Sequence, residues 1–435
     1  MLEILIVNVH SSRNAGDAAL TLVTIEQLKQ RFPHSRFVLA MDDPRSYFGE
    51  GQAVDSFFSL VRKGDRWRIN NLVWLIPGSI IPILTYRLLG KAVFTITPKS
   101  WQALLQAYIQ AHMIISKPGG FLYSSGRGVS LVISVYTLAL ALLAGKPVYV
   151  FPQSIGPFSR CWEHLLVKWV LKRVRIVMAR ESISFRQLRA WGLASHRCHL
   201  LPDPAFVFSG TPIAEAEEWL RSNGIELSQD GPLLGMTVIN WRAQNPRFGL
   251  QAKYEASCAE AVRFFVERYE GKAILFPQVW GPSASQDDRV PARRIAGQLG
   301  NLDHSVLVVE EPLPPDLLKS VYGLMDLFIG TRMHSNIFAL SQGVPVIAIG
   351  YQHKTRGIMQ MVGLGRWVID IQHINGQTLI DMLTELWKER NEIRAHLSRT
   401  VPTLAEQVKQ VGALVATDFS LLYGGFRDVQ ANPCR

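Results

Sequence analysis

Residues 327–349 read LFIGTRMHSNIFALSQGVPVIAI. The stretch begins with the apolar run Leu327–Ile329, continues through a polar loop and a helical segment to Leu340, and ends with a glycine turn and a second apolar run. Two short apolar runs separated by a helix are typical of a β-α-β unit in a parallel sheet. This stretch therefore predicts an α/β fold.

The same alternation extends over most of the chain. In the first half the predicted strands are Leu2–Val9, Phe37–Met41, Met113–Ser116, Val148–Phe151 and Ile176–Ala179. In the second half they are Leu233–Ile239, Ala273–Phe276, Val306–Val309, Leu327–Ile329, Val346–Ile349 and Val368–Asp370. The pattern predicts two doubly wound, Rossmann-like domains facing each other across a cleft, a GT-B-like arrangement, with ligands at the carboxyl ends of the strands.

The domain boundary is expected near Pro202 to Pro212, where prolines and small polar residues cluster. The predicted domains are residues 1–210, with an apolar, basic-flanked insertion at 45–100, and residues 211–390. Residues 391–435 are expected to form a helical extension, because a helix over 377–410 is followed by no further strand.

Composition narrows the class of protein. Of the 435 residues, 48% are apolar and 19% are charged, which excludes disorder as the main state. A net charge of +11 favours anionic partners. The four cysteines (Cys161, Cys198, Cys258 and Cys434) lack metal-ligand or redox spacing, so we expect no metal site and a reducing, cytoplasmic compartment.

Two apolar stretches bear on membrane association. Val129–Ala144 is too short to span a bilayer and is expected to be a buried helix. Asn71–Gly90 is longer, but Pro77, Gly78 and Pro82 are expected to break any continuous helix. It is flanked by Arg62, Lys63, Arg66, Arg68, Arg87 and Lys91. Either this segment folds against the first domain, or residues 69–92 contact a membrane surface peripherally.

Polar loops follow several predicted strands. Asn14, Gly16 and Asp17 lie in the turn after the first strand, where Asp17 could cap a helix or orient and deprotonate a hydroxyl. The pair Gly119-Gly120 would allow close approach of a ligand or of a neighbouring backbone. Gln153 lies in a further loop of this kind.

Basic residues occupy three further loops. They are Arg180, Arg332 with His334, and Lys354. Each alone is more often structural than functional, but their recurrence at successive strand ends indicates an anion site. The helix that starts near His334 would add its positive end to that site.

These motifs resemble the polysaccharide pyruvyltransferases, and most closely the colanic-acid type. The matching segments are Asn14-x-Gly16-Asp17, Gly119-Gly120, Gln153 to Pro157, Arg180-Glu181, Asp203 to Phe206, Arg332 to Ser335, Gly343 to Pro345 and Tyr351 to Lys354. The resemblance implies transfer of a pyruvyl group from phosphoenolpyruvate to a sugar of a polysaccharide or lipid-linked precursor, leaving a cyclic ketal. It implies an acceptor-binding N-terminal domain and a donor-binding C-terminal domain.

The resemblance also implies roles for individual residues. His334 would protonate the enol carbon, because histidine titrates near neutral pH. Arg180, Arg332, Lys354 and Ser335 would bind phosphoenolpyruvate, while Asp17 would act on the acceptor hydroxyl. Asn14, Gly16, Gly119, Gly120 and Gln153 would line the acceptor side. Phosphoenolpyruvate is the co-substrate, and no other cofactor is expected.

Two other functions fit parts of the sequence. A two-domain glycosyltransferase using a nucleotide sugar would share the architecture and the Gly343-Val344-Pro345 turn, but no base- or ribose-binding signature is evident. A non-catalytic module that binds anionic glycan or lipid would retain binding without His334. Nucleic-acid binding is disfavoured, because the positive charge is spread along the chain.

Overall fold

A computed structural model of the chain describes residues 1–63, 66–124, 128–227, 231–281 and 283–423. Cys434 and the last part of the predicted extension, 424–435, lie outside the described residues. The chain divides into two compact units. The first comprises Met1–Ser12, Leu20–Pro204 and the chain from Glu406 onward; the second comprises Arg13–Ala19 and Ala205–Ala405.

The first unit is built on a parallel sheet. Its strands are β1 Leu2–Val9, β2 Ser35–Met41, β3 Gln52–Asp55, β6 Met113–Ser116, β7 Gly119–Leu122, β8 Val148–Ile155, β9 Ile176–Ala179 and β10 Cys198–Leu200. A separate antiparallel pair consists of β4 Arg62–Lys63 and β5 Arg66–Trp67. The main sheet has the order β10-β9-β8-β6-β1-β2-β3, with β7 paired to β8. The direction in which this sheet grows therefore reverses between β1 and β6.

Helices cover this sheet. They are α1 Ala15–Arg31, α2 Phe57–Val61, α3 Ile69–Leu89, α4 Lys99–Gln110, α5 Val129–Leu143, α6 Cys161–Leu171 and α7 Ser182–Ala190. Alternating side chains of β1 enter two separate cores, Leu5 and Val7 on one face and Ile4 and Ile6 on the other. Burial of both faces explains why the strand is an almost continuous apolar run.

The second unit repeats the design. Its strands are β11 Leu233–Thr237, β12 Lys272–Phe276, β13 Val306–Val308, β14 Leu327–Gly330, β15 Val346–Gly350 and β16 Val368–Asp370. Its helices are α8 Ile213–Ser222, α9 Trp241–Gln244, α10 Gln251–Tyr269, α11 Arg289–Ala296, α12 Pro315–Gly323, α13 Met333–Ser341, α14 His353–Met361 and α15 Gly376–Val408. The parallel strands follow the order β13-β12-β11-β14-β15-β16, which is the Rossmann order.

The fold class and every predicted strand are confirmed. The structure adds β3, β7 and β10, which the sequence pattern did not predict. β3 belongs to the main sheet although it lies in the region predicted as an insertion. Gly119 and Gly120, predicted in a loop, lie in β7, and Gly119 pairs with Gln153 of β8.

The prediction that prolines break the Asn71–Gly90 segment is wrong. Helix α3 continues through Pro77 and Pro82. A proline at position 82 has no N–H for the carbonyl of Gly78, but the Thr97 hydroxyl donates to that carbonyl at 2.7 Å. A distant side chain thus replaces the missing backbone donor. The prediction for Val129–Ala144 is confirmed, because α5 buries Leu131, Ile133, Val135, Leu138, Leu140 and Ala141, and Val132 is its one exposed apolar residue.

The chain returns to the first unit at its C-terminal end. The boundary near residue 204 lies within the predicted stretch Pro202 to Pro212, slightly before the domain limit given as 210. The predicted extension is divided, because residues 391–405 belong to the second unit. The last helix, α16 Gln410–Leu422, places Val411, Val415 and Phe419 in the first unit's core. Its Asp418 accepts a hydrogen bond from the Tyr149 hydroxyl at 2.8 Å. This helix is therefore an integral part of the first unit.

Candidate active site

The strand order of the second unit identifies where a ligand would bind. The sheet reverses its direction of growth between β11 and β14, and ligands of such sheets bind beyond the carboxyl ends of the strands at this switch point. The loop after β14 contains Thr331 and Arg332, and helix α13 follows it. The amide of Thr331 donates at 3.1 Å to the carbonyl of Thr237, at the end of β11. His334 lies in the first turn of α13, directly at the switch point.

An N-terminal segment of the chain packs against this loop. Asn14 forms an antiparallel bridge with Val279, in the loop after β12. The Ala15 amide donates to the carbonyl of Gln278 at 3.0 Å. This explains why Arg13–Ala19 belongs to the second unit although the sequence places it in the first domain.

Gly16 brings this segment into contact with His334. A Cβ atom at position 16 would lie 2.2 Å from Nδ1 of His334, which is closer than non-bonded atoms approach. The imidazole therefore occupies the space that any side chain at position 16 would need. The glycine is required here for close approach rather than for an unusual backbone conformation.

Asn14 caps the start of helix α1. The Asn14 side-chain oxygen accepts hydrogen bonds from the amides of Gly16, at 3.1 Å, and Asp17, at 3.3 Å. Asp17 is partly buried in the first turn of α1, where the positive end of the helix favours a carboxylate. The structure therefore assigns the N-cap contacts at these two amides to Asn14, and the role of Asp17 toward an acceptor hydroxyl stays a prediction.

Arg332 is held by a buried aspartate. Its Nη2 lies 2.5 Å from Oδ1 of Asp288, and its Nε contacts both carboxylate oxygens. Asp288 is inaccessible to solvent and also accepts the Val279 amide at 2.9 Å. Burial raises the pKa of Asp288 to about 6, against the opposing effect of Arg332. Asp288 thus fixes the guanidinium and balances its charge at neutral pH.

Aromatic side chains connect Arg332 to the neighbouring loops. Burial alone would lower the pKa of Arg332, but Asp288 and a hydrogen bond with Tyr351 raise it above its ordinary value. Tyr351 follows β15, and its ring lies 4.5 Å from that of Trp241, which follows β11. The Lys354 ammonium lies 5.8 Å from the Tyr351 ring centroid. The loops after β11, β12, β14 and β15 therefore form one connected network around Arg332.

Two polar residues of α13 face the protein interior. The Ser335 hydroxyl donates to the Arg332 carbonyl at 2.6 Å and lies 2.6 Å from the Thr237 hydroxyl. These contacts tie α13 to β11, so binding of phosphoenolpyruvate by Ser335 stays a prediction. Asn336 is also buried, and within the described residues neither atom of its amide has a hydrogen-bond partner. A buried amide in this state is uncommon and marks position 336 as a functional candidate that the sequence alone did not reveal.

The remaining predicted site residues lie in the first unit. Gln153 is buried and donates to the carbonyl of Lys117 at 2.5 Å, beside Gly119 and Gly120 in β7. Arg180 is only 1% exposed; its Nη1 lies 2.7 Å from Asp203 and its Nε lies 2.7 Å from the Ser154 hydroxyl. Its neighbour Glu181 caps α7. In this geometry Arg180 stabilises the first unit, and its predicted contact with phosphoenolpyruvate is untested.

A pair at the first unit's switch point was also not predicted from the sequence. His10 follows β1, and its Nδ1 lies 2.7 Å from Oδ2 of Asp42, which follows β2. The other Asp42 oxygen accepts the Ser56 hydroxyl at 2.5 Å. A histidine oriented by a carboxylate is a common general base. Only the adjacency of β1 and β2 brings these residues together.

Across the described residues, no group of three or more His, Cys, Asp or Glu side chains has an arrangement that could hold a metal ion.

Two parallel-sheet α/β units, with basic residues at the switch point of the second, define the structural class of the protein: a two-domain, Rossmann-like, GT-B-like fold. The sequence signature of the polysaccharide pyruvyl transferase family matches residues 14–353, which includes the Asn14 turn and the loops after β14 and β15. The chain therefore belongs to the polysaccharide pyruvyl transferase family and is an enzyme.

One relative of similar length agrees with the family assignment, and two solved structures agree with the fold. The chain is 26% identical to the amylovoran biosynthesis protein AmsJ of Erwinia amylovora over 434 residues, covering 96% of this chain and 99% of that protein. Among solved structures, a Listeria monocytogenes protein described as a UDP-N-acetylglucosamine 2-epimerase is similar with a TM-score of 0.60, 12% identity and 98% coverage of both chains. Anabaena HepE in complex with UDP is similar with a TM-score of 0.54, 14% identity, and coverage of 97% of this chain and 100% of that one. At these identities the two structures support the fold alone.

Proposed function

We propose that this protein transfers the pyruvyl group of phosphoenolpyruvate to a sugar of a polysaccharide precursor, forming a pyruvate ketal. The observation that carries the proposal is the placement of His334. Its imidazole packs against Gly16 at the switch point, two residues from the fixed guanidinium of Arg332. A proton donor beside a cation suits a small substrate that is both anionic and in need of protonation.

Phosphoenolpyruvate would bind to the second unit. Arg332 and Lys354 supply positive charge, and the first turns of α13 and α14 add the positive ends of two helices. Because Asp288 already balances Arg332, the guanidinium is oriented before the substrate arrives. For Arg180 and Ser335 to bind the donor as well, each would have to exchange a partner that it has now.

The proposed reaction is a proton-assisted addition followed by ring closure. His334 gives a proton to C3 of phosphoenolpyruvate, which becomes a methyl group and leaves C2 electrophilic. One sugar hydroxyl forms a bond to C2 and loses its proton, and the bond from C2 to the phosphate oxygen breaks. A second hydroxyl then forms a bond to C2 and loses its proton, which gives the ketal and inorganic phosphate.

Removal of the hydroxyl protons is proposed for Asp17 in the second unit. The His10–Asp42 pair of the first unit is a second candidate base, because Asp42 orients the imidazole. Asn14 and Gly16 position the first turn of α1, while Gly119, Gly120 and Gln153 would line the acceptor side of the first unit. The proposal uses phosphoenolpyruvate as co-substrate and includes no metal-dependent step.

The biological setting is proposed from the relatives. AmsJ is a biosynthesis protein for amylovoran, and by analogy we propose a role in exopolysaccharide and cell-envelope synthesis. Acceptors in such pathways are often linked to lipid, so we propose a lipid-linked oligosaccharide as the acceptor and the cytoplasm as the compartment.

Release of phosphate from phosphoenolpyruvate tests the proposal. Extracted lipid-linked oligosaccharides serve as acceptors, and mass spectrometry detects addition of one ketal-linked pyruvate. We expect acceptor-dependent release that falls about 10²- to 10⁴-fold in His334→Gln. His373→Gln is the matched control, because His373 is an exposed histidine of the same unit. Phosphate release that is unchanged in His334→Gln would contradict the assigned proton donor.

A binding experiment separates this function from glycosyl transfer. Wild-type protein is heated with phosphoenolpyruvate or with UDP-sugars, and its unfolding temperature is recorded. Stabilisation by phosphoenolpyruvate alone is the expected result. Stabilisation by a UDP-sugar alone would instead assign the protein to glycosyl transfer.

A further inference from the structure

Helix α3 is fixed to the first unit along one side. Leu75, Ser79 and Pro82 are buried and recur every three or four residues, so they form a single stripe. The Ser79 hydroxyl lies 2.5 Å from that of Tyr136 on α5, and Arg87 donates to the Leu143 carbonyl at 2.9 Å. The helix is therefore attached at its middle and near its C-terminal end.

Most of the remaining helix surface is apolar and exposed. Its exposed side chains include Ile69, Leu72, Val73, Trp74, Ile76, Ile81, Leu88 and Leu89. Of the described helices, α3 is the one long and apolar enough to cross a membrane, yet only 28% of its most apolar stretch is buried. We call this surface the α3 face. A continuous apolar surface of this kind marks an interaction site.

The segment that contains helix α3 has basic side chains and no acidic ones from residue 66 to residue 162. No aspartate or glutamate occurs between Asp65 and Glu163, although the chain has 35 acidic residues. Arg68 precedes the helix, Arg87 lies in its last turn, and Lys91 follows it. Basic residues thus lie at both ends of an apolar surface that is about 30 Å long.

We propose that the α3 face docks on an anionic lipid bilayer with the helix lying in the plane of the membrane surface. The apolar side chains would enter the region between headgroups and acyl chains, while Arg68, Arg87 and Lys91 would contact lipid phosphates. Trp74 is partly exposed beside them, and tryptophan is enriched at such interfaces.

An in-plane orientation fits the packing better than a membrane-spanning one. To cross the bilayer, α3 would have to leave its buried stripe and break the Ser79–Tyr136 and Thr97–Gly78 contacts. It would also have to place basic residues on opposite sides of the membrane. Docking in the plane keeps every one of these contacts and lets both basic ends reach the same layer of headgroups.

Charge also favours lipid over a second copy of the chain as the occupant. In a symmetric dimer through the α3 face, two surfaces that both lack carboxylates would meet, so their arginines and lysines would repel each other. A bilayer with anionic headgroups supplies the complementary charge. This inference rests on the α3 face alone and does not depend on the proposed pyruvyl transfer.

Flotation of the full-length chain with vesicles tests the proposal. The vesicles contain either phosphatidylcholine alone or an equal mixture of phosphatidylcholine and phosphatidylglycerol. We expect wild-type protein to float with the mixed vesicles and to bind the neutral ones several-fold more weakly. The double variant Val73→Gln with Ile76→Gln should lower partitioning into mixed vesicles by about tenfold or more.

A control variant separates this effect from a general loss of apolar surface. Ile213 in the second unit is 55% exposed, close to the 58% of Ile76. Ile213→Gln should therefore float as wild type does. The double variant Leu88→Gln with Leu89→Gln tests the other end of the helix and keeps the proposal testable if the first variant fails to fold.

The charge argument is tested separately. Arg68→Gln and Lys91→Gln should each lower partitioning about fivefold, and added salt should weaken wild-type binding. The proposal is overturned if wild-type protein stays with the soluble fraction, if it binds both vesicle types equally, or if both double variants float as well as wild type. It is also overturned if sedimentation shows a dimer that the α3-face variants convert to monomer while flotation is unchanged, because the face would then be a contact between copies.

Discussion

Arg180 of the first unit and Arg332 of the second unit have similar local structural environments. Each follows a buried strand, and each pairs with a solvent-inaccessible aspartate, at 2.7 Å to Asp203 and 2.5 Å to Asp288. Their positions in the fold differ. Arg180 follows β9, which β8 and β6 separate from the first unit's switch point, whereas Arg332 follows β14 at the second unit's switch point.

This difference shows that two arginines with the same residue type and the same kind of partner can lie at different distances from the switch point of their sheet. Arg180 is 1% exposed and surrounded by partners within its own unit. Arg332 keeps 11% exposure, forms a hydrogen bond with Tyr351, and lies two positions before His334 in the chain. The position of the strand within the sheet therefore leads us to predict that Arg332 contributes more to donor binding than Arg180 does.

The largest expected effect comes from removing the partner of Arg180. Asp203→Asn leaves a fully buried guanidinium without its counter-charge, so we expect a loss of about 3–5 kcal/mol in the free energy of unfolding, measured by chemical denaturation. Asp288→Asn should lower the free energy of unfolding by less, because Arg332 can still bind an anion from solution. Added phosphate should therefore restore part of the stability that this variant loses. Equal rescue of both variants by phosphate would remove the distinction between the two arginines.

Gly16 tests the geometry of the active unit. Gly16→Ala would force the His334 imidazole to move, and a misplaced proton donor should lower turnover about a hundredfold. The affinity for phosphoenolpyruvate should change much less than the turnover, because Arg332 and Lys354 are still present. Gly249→Ala is the matched control, since nothing lies within 4 Å of a Cβ built there. If Gly16→Ala turned over as fast as wild type, the imidazole would not need its present position.

The same substitution at both arginines compares them directly. Arg332→Lys keeps the charge but loses the planar, two-pronged contact, so the affinity for phosphoenolpyruvate should fall about tenfold. Arg180→Lys should leave that affinity unchanged and lower only the thermal stability. Titration calorimetry measures the affinity of each variant for phosphoenolpyruvate, and thermal unfolding measures its stability. Weaker binding in Arg180→Lys would place Arg180 in the donor site after all.

The last prediction concerns pH. The pKa of Asp288 is raised from 3.8 to about 6, so the folded chain holds this proton more tightly than the unfolded chain does. The contribution of Asp288 to stability therefore decreases as the pH rises from 3.8 to about 6, and it is constant above that. Asp288→Asn removes this dependence, so over that interval its stability relative to wild type should improve. Denaturation at several pH values measures the difference, and a difference independent of pH would refute the raised pKa.

Much of the fold could be predicted because strand formation depends on local sequence. The apolar runs that predicted β1, β6, β9 and β16 match the observed bounds residue for residue. The strands β3 and β10 were missed because they are short and form the edges of the sheet, where burial leaves a weaker apolar signal. The continuity of α3 was missed because the hydroxyl that replaces the donor of Pro82 comes from Thr97, outside the helix.

The candidate site also contains residues that the sequence predicts and residues that it does not. His334, Arg332 and Lys354 could be found from the sequence because each lies at a strand end in a polar loop. Asp288 could not, since nothing in the local sequence distinguishes it from Asp287 beside it. The His10–Asp42 pair was equally hidden, because its members are joined only by the adjacency of β1 and β2.

The sequence by itself determined the alternation of strands and helices, the two-unit α/β architecture and the loops that carry the basic residues. Each of these depends on periodicity and turn-forming residues within a few positions of one another. The tertiary structure alone decided that Asn14 to Asp17 join the second unit, that Gly16 makes room for His334, and that Asp288 fixes Arg332. These contacts join residues far apart in the chain, and the packing that brings them together is a property of the folded whole.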